Sequence, residues 1–297
     1  MKSSTAHLFT ALCCLGLFGL SAAVSGHSHA SLGGLPAIVL AMLIAVGLQW
    51  LAFVPAYLLS SERFYDLVGT STFLLMAGLS LWVAHANGQA GVHHFLIALA
   101  VGLWSLRLVI FLTRRIHETG KDGRFDEIKH SFPRFVMAWT AQAMWIFTTS
   151  FAVIILLTSK RPFVLDAWVV IGLCIWTVGW TIEVVADQQK KRFRQRNASG
   201  ERWIDEGLWA YARHPNYFGE ILLWTGLFVA GLGHYEGLQW LAICSPVFVY
   251  GLLTRGSGVP LLQERALAKW GHLEEFAAYQ RRTNLLIPLP KLSSTAP

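Results

Sequence analysis

Long apolar runs alternate with short polar segments along almost the whole 297-residue chain. Runs close to the length of about 20 residues that spans a bilayer predict transmembrane helices. The eight predicted spans are Leu8–Val24, Leu35–Leu59, Leu67–Ala86, His93–Leu112, Phe135–Leu157, Phe163–Ala186, Tyr217–Gly233 and Leu238–Leu253. We therefore expect an all-α fold, a polytopic membrane helix bundle with about eight transmembrane helices.

The first apolar run, within residues 1–30, has two interpretations. It follows a single Lys2 and ends in the small residues Ser21, Ala22 and Ala23, a pattern that also fits a cleaved signal peptide. A retained helix gives eight spans, and cleavage leaves seven. Residues 31–160 then form the N-terminal membrane helices, and residues 161–297 form a C-terminal membrane domain.

The basic residues predict how the helices are oriented in the membrane. Connections kept in the cytoplasm are enriched in Lys and Arg, and 19 of the 24 basic residues lie in 113–134, 187–216 or after residue 254. These three segments follow the fourth, sixth and eighth spans. An eight-helix layout therefore places all three segments on one side, which we predict to be cytoplasmic.

Composition excludes an ordinary soluble domain, because 54% of the residues are hydrophobic and only 14% are charged. The net charge is +7, but the sequence contains no soluble basic domain that could bind nucleic acid. Nucleic acid is therefore not an expected partner. The cysteines all lie in apolar runs without a CxxC pair, which predicts packing roles and no metal site. They are Cys13, Cys14, Cys174 and Cys244.

Polar side chains that suit a nucleotide begin where the sixth span ends. If the helix continues, Glu183 and Asp187 share a face with Lys191 and Arg194, because they follow at three- and four-residue steps. Carboxylates can accept hydrogen bonds from hydroxyls, and the cations that follow can bind phosphates. The same pattern is also typical of an ordinary helix with ion pairs on its surface. The basic run at 190–196 is also typical of a segment that anchors a protein to anionic lipid headgroups.

The run RHPNYFGE, from Arg213 to Glu220, predicts a helix that restarts after a turn. Pro215 disfavours helix at His214, and proline is favoured at the start of a helix. The restart would leave unpaired N–H groups and the positive end of a helix dipole, which together favour an anion. Asn216 and Glu220 would lie on one face of the new helix. A carboxylate at the membrane boundary requires an Arg partner or a polar ligand.

Four segments in the C-terminal half carry a family resemblance. EVVADQQKKRF, GLWAYARHPNYFGE, GSGVPLLQ and AYQRRTNLLIP occur in that order between residues 181 and 288. They resemble the membrane family with a steroid 5-alpha-reductase-like C-terminal domain, many of whose members have no assigned substrate. The resemblance implies an NADPH site at the cytoplasmic ends of the later helices, in residues 161–297, and a lipid or steroid substrate that enters from the membrane.

The resemblance also implies roles for individual residues. Asp187 would approach the adenosine end of NADPH, and Asn216 the nicotinamide amide, with Glu220 organising the amide region. Arg194 and Arg202 would contact the phosphates, with Arg255 as a further phosphate contact, and the other members of the motif would line the cofactor without an individual role. The complete cofactor set is Asp187, Lys191, Arg194, Arg202, Tyr211, Arg213, His214, Asn216, Tyr217, Glu220 and Arg255.

The catalytic residues that the resemblance implies lie earlier in the chain. In steroid reductases, a tyrosine three residues before an arginine, together with an acidic residue, polarises the substrate enone. The matching positions here are Trp104, Arg107 and Asp66. An indole N–H donates a hydrogen bond but is no ordinary proton donor, so steroid 5-alpha reduction itself is in doubt. Without the family, an interior ion pair between Arg107 and Asp66 accounts for an arginine inside a span.

Three functions remain open from the sequence. The first is an NADPH-dependent oxidoreductase that reduces a carbon–carbon double bond in a hydrophobic substrate of lipid metabolism. The second is an S-adenosylmethionine-dependent methyltransferase, because isoprenylcysteine carboxyl methyltransferases carry a similar RHPxYxG element. The third is a non-catalytic membrane protein that retains a nucleotide pocket, which the loss of tyrosine at Trp104 favours.

Overall fold

The computed structural model describes residues 3–26, 30–119, 123, 125–161, 163–197 and 200–290. Helices dominate this part of the chain. The α-helices are α1 (Ser3–Ser25), α2 (Ala37–Leu58), α3 (Tyr65–Ala86), α4 (Val92–Thr119), α5 (Phe132–Thr158), α6 (Ala167–Arg196), α7 (Pro215–Val229), α8 (Cys244–Gly251), α9 (Val259–Trp270) and α10 (Glu274–Arg282). Short 3₁₀ helices, Gly207–Ala210 and Gly237–Ile243, precede α7 and α8, and a π-helical turn, Leu252–Gly256, follows α8.

Seven helical segments among the described residues are long and apolar enough to cross a membrane. They are Ser4–Ser25, Ala37–Leu58, Tyr65–Ala86, Val92–Arg114, Phe132–Thr158, Ala167–Arg196 and Gly237–Trp270. The predicted span Tyr217–Gly233 corresponds to α7, whose 15 residues cover about 22 Å against a hydrocarbon thickness of about 30 Å. The predicted fold class, an all-α polytopic membrane bundle, is confirmed.

The chain forms two compact units, and neither is one continuous segment. Unit 1 contains Met1–Val170 and Ala230–Ser245, and unit 2 contains Ile171–Val229 and Pro246–Pro297. The boundary that the sequence predicts near residue 161 stays a prediction.

Helix α5 is the centre of unit 1. Of its most apolar stretch, 83% is buried, against 22% to 50% in α1 to α4, and it contacts α1, α2 and α3. Near one end of α5 the rings of Phe135 and Trp139 pack with Phe53 of α2 and Phe125. Many large apolar side chains of α1 to α4 are exposed, as expected for helices in lipid.

Polar side chains connect the helices of unit 1 inside this apolar environment. Gln49 of α2 donates to Thr72 of α3 at 3.0 Å, and Gln142 of α5 donates to the backbone carbonyl of Tyr65 at 3.0 Å. Ser105 of α4 donates to the carbonyl of Thr70 at 2.6 Å. Lipid offers no competing hydrogen-bond partners, so these bonds fix the register of α2 to α5.

A small hairpin precedes α2. Strands β1 (Ser31–Leu32) and β2 (Leu35–Pro36) pair in antiparallel register. Gly33 and Gly34 between them have φ of 57° and 83°, the left-handed values that a two-residue hairpin turn requires. The N–H of Ala30 donates to the carbonyl of Thr158 at 2.7 Å, which ties the hairpin to the end of α5.

In unit 2, α6 and α7 pack so closely that their backbones touch. An added Cβ at Gly219 of α7 would lie 2.6 Å from the backbone oxygen of Gly179 on α6. One at Gly226, two turns further along the same face, would lie 2.6 Å from the oxygen of Gly172. Glycine therefore allows the approach. The helix α6 also continues to Arg196, which confirms the predicted extension beyond the apolar run.

Candidate cofactor site

The turn before α7 is held by the C-terminal segment. Helix α7 begins at Pro215, which confirms the predicted restart. The N–H groups of Arg213 and His214 donate to the carbonyls of Asn284 and Leu285 at 3.0 and 3.1 Å, and the N–H of Asn284 donates back to Tyr211 at 2.9 Å. These two backbone donors beside the helix start are therefore used within the protein and are not available to an anion.

A cavity of about 420 Å³ opens in unit 2, within the range of about 300–1,000 Å³ typical of small-molecule sites. Its walls come from the end of α6, the segment that leads to α7, and α9 and α10. Six cationic side chains line it, and its described lining includes no carboxylate. The six are Lys190, Arg194, Arg202, Arg213, Arg265 and Lys269.

One wall of the cavity is aromatic. The rings of Trp203 and Phe276 lie 5.0 Å apart, and Trp203 and Trp270 lie 6.2 Å apart. Trp209 is 3% exposed, donates its indole N–H to the carbonyl of Ala186 at 3.0 Å, and carries the ammonium of Lys190 at 4.8 Å from its ring centroid. Flat aromatic surfaces beside cations suit a ligand with both a ring system and phosphates.

Three buried polar atoms of cavity-lining residues have no hydrogen-bond partner among the described residues. They are the indole nitrogen of Trp203, Nε of Arg213 and Nδ1 of His214. Buried polar atoms are normally paired. Two of these three are obligatory N–H donors, so unsatisfied donors lie in the walls of the cavity.

His214 is a neutral imidazole in this site. Burial, with added repulsion from Lys190 and Arg213, lowers the pKa of His214 to about 3, and its ring stacks on Tyr217 with centroids 5.4 Å apart. Burial also lowers the pKa of Arg213. Burial raises the pKa of Tyr279, whose phenol donates to the carbonyl of Trp209 at 2.9 Å. At neutral pH, His214 therefore offers hydrogen bonding without charge.

The lowered pKa of His214 predicts acid sensitivity. In the unfolded chain this imidazole titrates near pH 6.5, so between pH 6.5 and 3 the unfolded state binds more protons than the folded state. The contribution of neutral His214 to the free energy of unfolding is therefore fully present above about pH 6.5. It falls as the pH drops below that value, by at most about 1.4 kcal/mol per pH unit. Between pH 7 and pH 5, the unfolding midpoint of His214→Gln should fall less than that of the wild type.

The control for this prediction is His272→Gln, because His272 is an exposed histidine of the same unit. It removes one histidine without touching the cavity. An acid-induced loss of stability that is equal in His214→Gln and in the wild type would contradict the buried neutral state of His214.

The structure separates the predicted cofactor residues into two groups. Arg194, Arg202, Arg213 and His214 line the cavity, and the remaining seven are outside its lining. Asn216 donates to Asp187 at 3.3 Å, although the resemblance assigns these two residues to opposite ends of the cofactor. Lys191, Tyr211 and Arg255 are exposed, and Tyr217 and Glu220 are half-buried on α7.

Several cavity-lining residues did not emerge from the sequence. Lys190, not Lys191, faces the cavity, and the tryptophans and the α9 cations were not singled out. One signal was readable: Arg265 and Lys269 are four residues apart on an amphipathic segment, and Trp270 follows directly. That spacing places both cations on one helix face.

The residues with predicted catalytic roles lie in unit 1. Trp104 is buried on α4, with its ring 5.1 Å from Phe73 in an edge-to-face contact. Arg107 is half-buried, with its guanidinium 6.0 Å from the ring of Phe111. Asp66 is half-buried in the first turn of α3. The Ser105–Thr70 bond fixes the register of the two helices that carry these residues.

Comparisons with known proteins find relatives at low identity over part of the chain. The 3-oxo-5-alpha-steroid 4-dehydrogenase 1 of Mus musculus is 28% identical over 119 residues, which is 39% of this chain and 40% of the relative. The protein of the same name from Rattus norvegicus is 28% identical over 117 residues, and that from Macaca fascicularis is 27% identical over 128 residues. The chain thus matches only about two fifths of the length of these relatives. No solved structure matches.

A family model described as "Protein of unknown function (DUF1295)" covers residues 52–283. This match includes α3 to α10 and all of the cavity-lining residues. Because it spans most of the chain, the protein belongs to the DUF1295 family of proteins of unknown function, which is steroid 5-alpha-reductase-like.

Proposed function

We propose that this protein is a membrane-embedded, NADPH-dependent reductase of a double bond in a steroid-like or other lipid substrate. The observation that carries the proposal is the cavity of unit 2, with six cations, no carboxylate in its described lining and an aromatic wall. NADPH combines three phosphate groups with an aromatic adenine and a dihydronicotinamide ring. The cations of the cavity are complementary to the phosphates, and its aromatic wall is complementary to the rings. The distribution of basic residues favours a cytoplasmic opening.

The same chemistry disfavours S-adenosylmethionine. Its sulfonium and ammonium groups give that cofactor a net positive charge, and a site for it needs acceptors or carboxylates. The described lining of this cavity supplies six cations in their place, and like charges repel strongly where water is partly excluded. The methyltransferase hypothesis therefore has little support from the electrostatics of the site.

The residues of this chain have distinct roles in the proposal. Arg194 and Arg202 bind the diphosphate, and His214 donates or accepts an uncharged hydrogen bond. Asp187 and Asn216 are hydrogen-bonded to each other outside the cavity lining, so they would contact the cofactor only where it extends beyond the cavity. NADPH would supply a hydride to one carbon of the double bond and leave as NADP⁺. The other carbon needs a proton, which Asp66, or a water that it holds, supplies, while Arg107 and Trp104 orient the substrate.

The first test is direct binding to the purified protein in a neutral detergent. NADPH should raise the unfolding temperature in a saturable way, and S-adenosylmethionine should not. Arg194→Ala should weaken NADPH binding about tenfold, because a charge-assisted hydrogen bond contributes about 1.5–3 kcal/mol. Arg192→Ala is the matched control, since Arg192 is an exposed arginine of the same helix outside the cavity lining. Equal binding to both variants would reject the site.

A second candidate, a non-catalytic nucleotide-binding membrane protein, is favoured by one observation. The position that the resemblance assigns to a tyrosine holds Trp104, which is 1% exposed and packs against Phe73. This candidate predicts NADPH binding without NADPH oxidation on any substrate of a steroid and lipid library. Oxidation coupled to a single substrate would eliminate it.

A further inference from the structure

Helix α9 adds two cations to the cavity that the diphosphate does not require. Arg265 and Lys269 are one helical turn apart, and both line the cavity. Both are exposed, so their charged ends reach the cavity from its water-facing side. In the described part of the chain, neither forms an ion pair with a carboxylate. Their charge is therefore available to a ligand.

The end of α9 that carries Lys269 contacts the segment that follows α6. The indole N–H of Trp270 donates to the carbonyl of Glu201 at 3.0 Å, and Asn197 donates to the carbonyl of Arg202 at 2.9 Å. At Gly200, whose φ is 66°, an added Cβ would lie 2.7 Å from Nζ of Lys269. The ammonium of Lys269 thus lies near Gly200, in the segment that carries Arg202, and both residues line the same cavity.

Charge counting indicates what these cations bind. A dinucleotide without further phosphorylation carries two charges, on its diphosphate, whereas six cations line the cavity. A phosphomonoester adds about −1.5 to −2 charges at neutral pH and three acceptor oxygens. Arg194 and Arg202 suffice for the diphosphate, so the two α9 cations match a separate phosphomonoester in number and in charge.

We propose that Arg265 and Lys269 bind the phosphomonoester that distinguishes NADPH from NADH, and that α9 thereby sets the cofactor preference. The inference rests on the proposed function and extends it to residues for which the resemblance implies no role. Lys269 acts as a point charge, and Arg265 offers a planar fork that suits phosphate oxygens.

The test compares NADPH and NADH binding to Arg265→Ala, Lys269→Ala and the milder Lys269→Gln in a neutral detergent without anionic lipid. Each variant should bind NADPH about tenfold more weakly and bind NADH as the wild type does. The wild-type preference for NADPH should grow between pH 5.5 and 7.5, as the phosphomonoester loses its second proton near pH 6. This pH dependence should be reduced in the variants.

The outcomes separate the inference from the proposed function. If a variant loses NADPH and NADH affinity by the same factor, or loses neither, the assignment of α9 is overturned while NADPH binding stands. If the wild type binds neither dinucleotide, the proposed function fails and the inference fails with it. Arg192→Ala controls for the loss of one positive charge outside the cavity, and unfolding without ligand identifies any variant that is misfolded.

Discussion

Replacing Trp209 with alanine is expected to lower the free energy of unfolding by about 3–5 kcal/mol, because a large buried ring is lost and leaves a cavity. The side chain is 3% exposed, and its indole N–H is bonded to the carbonyl of Ala186. Its ring also holds Lys190 by a cation–π contact at 4.8 Å. NADPH binding should weaken too, since Trp209 forms part of the cavity wall.

Two variants make this result specific. Trp209→Phe keeps a ring for Lys190 and loses the N–H, so its cost should be smaller, about 1–2 kcal/mol. Trp82→Ala is the control, because Trp82 on α3 is 52% exposed and packs little within the protein. Thermal or denaturant unfolding in one detergent compares all three. Equal stabilities of Trp209→Ala and Trp82→Ala would show that Trp209 does not support unit 2.

Substituting Gly219 with alanine should cost about 1–3 kcal/mol of stability, although alanine favours helix over glycine by about 1 kcal/mol. The new methyl group would lie 2.6 Å from both the backbone nitrogen of Glu183 and the backbone oxygen of Gly179. Backbone atoms cannot move aside as a flexible side chain does. The helices α6 and α7 must therefore separate, which also stretches the Asn216–Asp187 hydrogen bond.

The matched control for Gly219→Ala is Gly251→Ala. Gly251 has helical angles, φ −62° and ψ −44°, and an added Cβ there meets no atom within 4 Å. That variant should be as stable as the wild type or slightly more stable. A decrease in the unfolding temperature of similar size in both variants would indicate that glycine replacement, and not the α6–α7 contact, is responsible.

The acid sensitivity of His214 and the destabilisation by Trp209→Ala both depend on the surroundings of Lys190 in unit 2. Lys190 contacts the ring of Trp209 and also repels a proton on His214. Loss of Trp209 frees Lys190 from its ring. The two measurements therefore report on one electrostatic arrangement, in which a positively charged site keeps its histidine neutral.

Local features of the fold were readable from the sequence. Apolar runs of about 20 residues predicted the long helices, because each such run must satisfy its backbone hydrogen bonds internally in lipid. Pro215 predicted the restart of α7, since proline fixes its own φ and disfavours helix before it. The 15-residue length of α7 was less readable, as the apolar run continues to Gly233 beyond the last helical residue, Val229.

The sequence by itself determined the membrane class, the positions of most helices and the segment that holds Arg194, Arg213 and His214, because these depend on neighbours along the chain. Only the tertiary structure decided which side chains share a cavity. It selected Lys190 over Lys191, brought α9 and α10 to the end of α6, and joined Asp187 to Asn216. The physical reason is that such contacts depend on helix rotation and on the return of residues 259–290 to the motif, and neither is encoded in local periodicity.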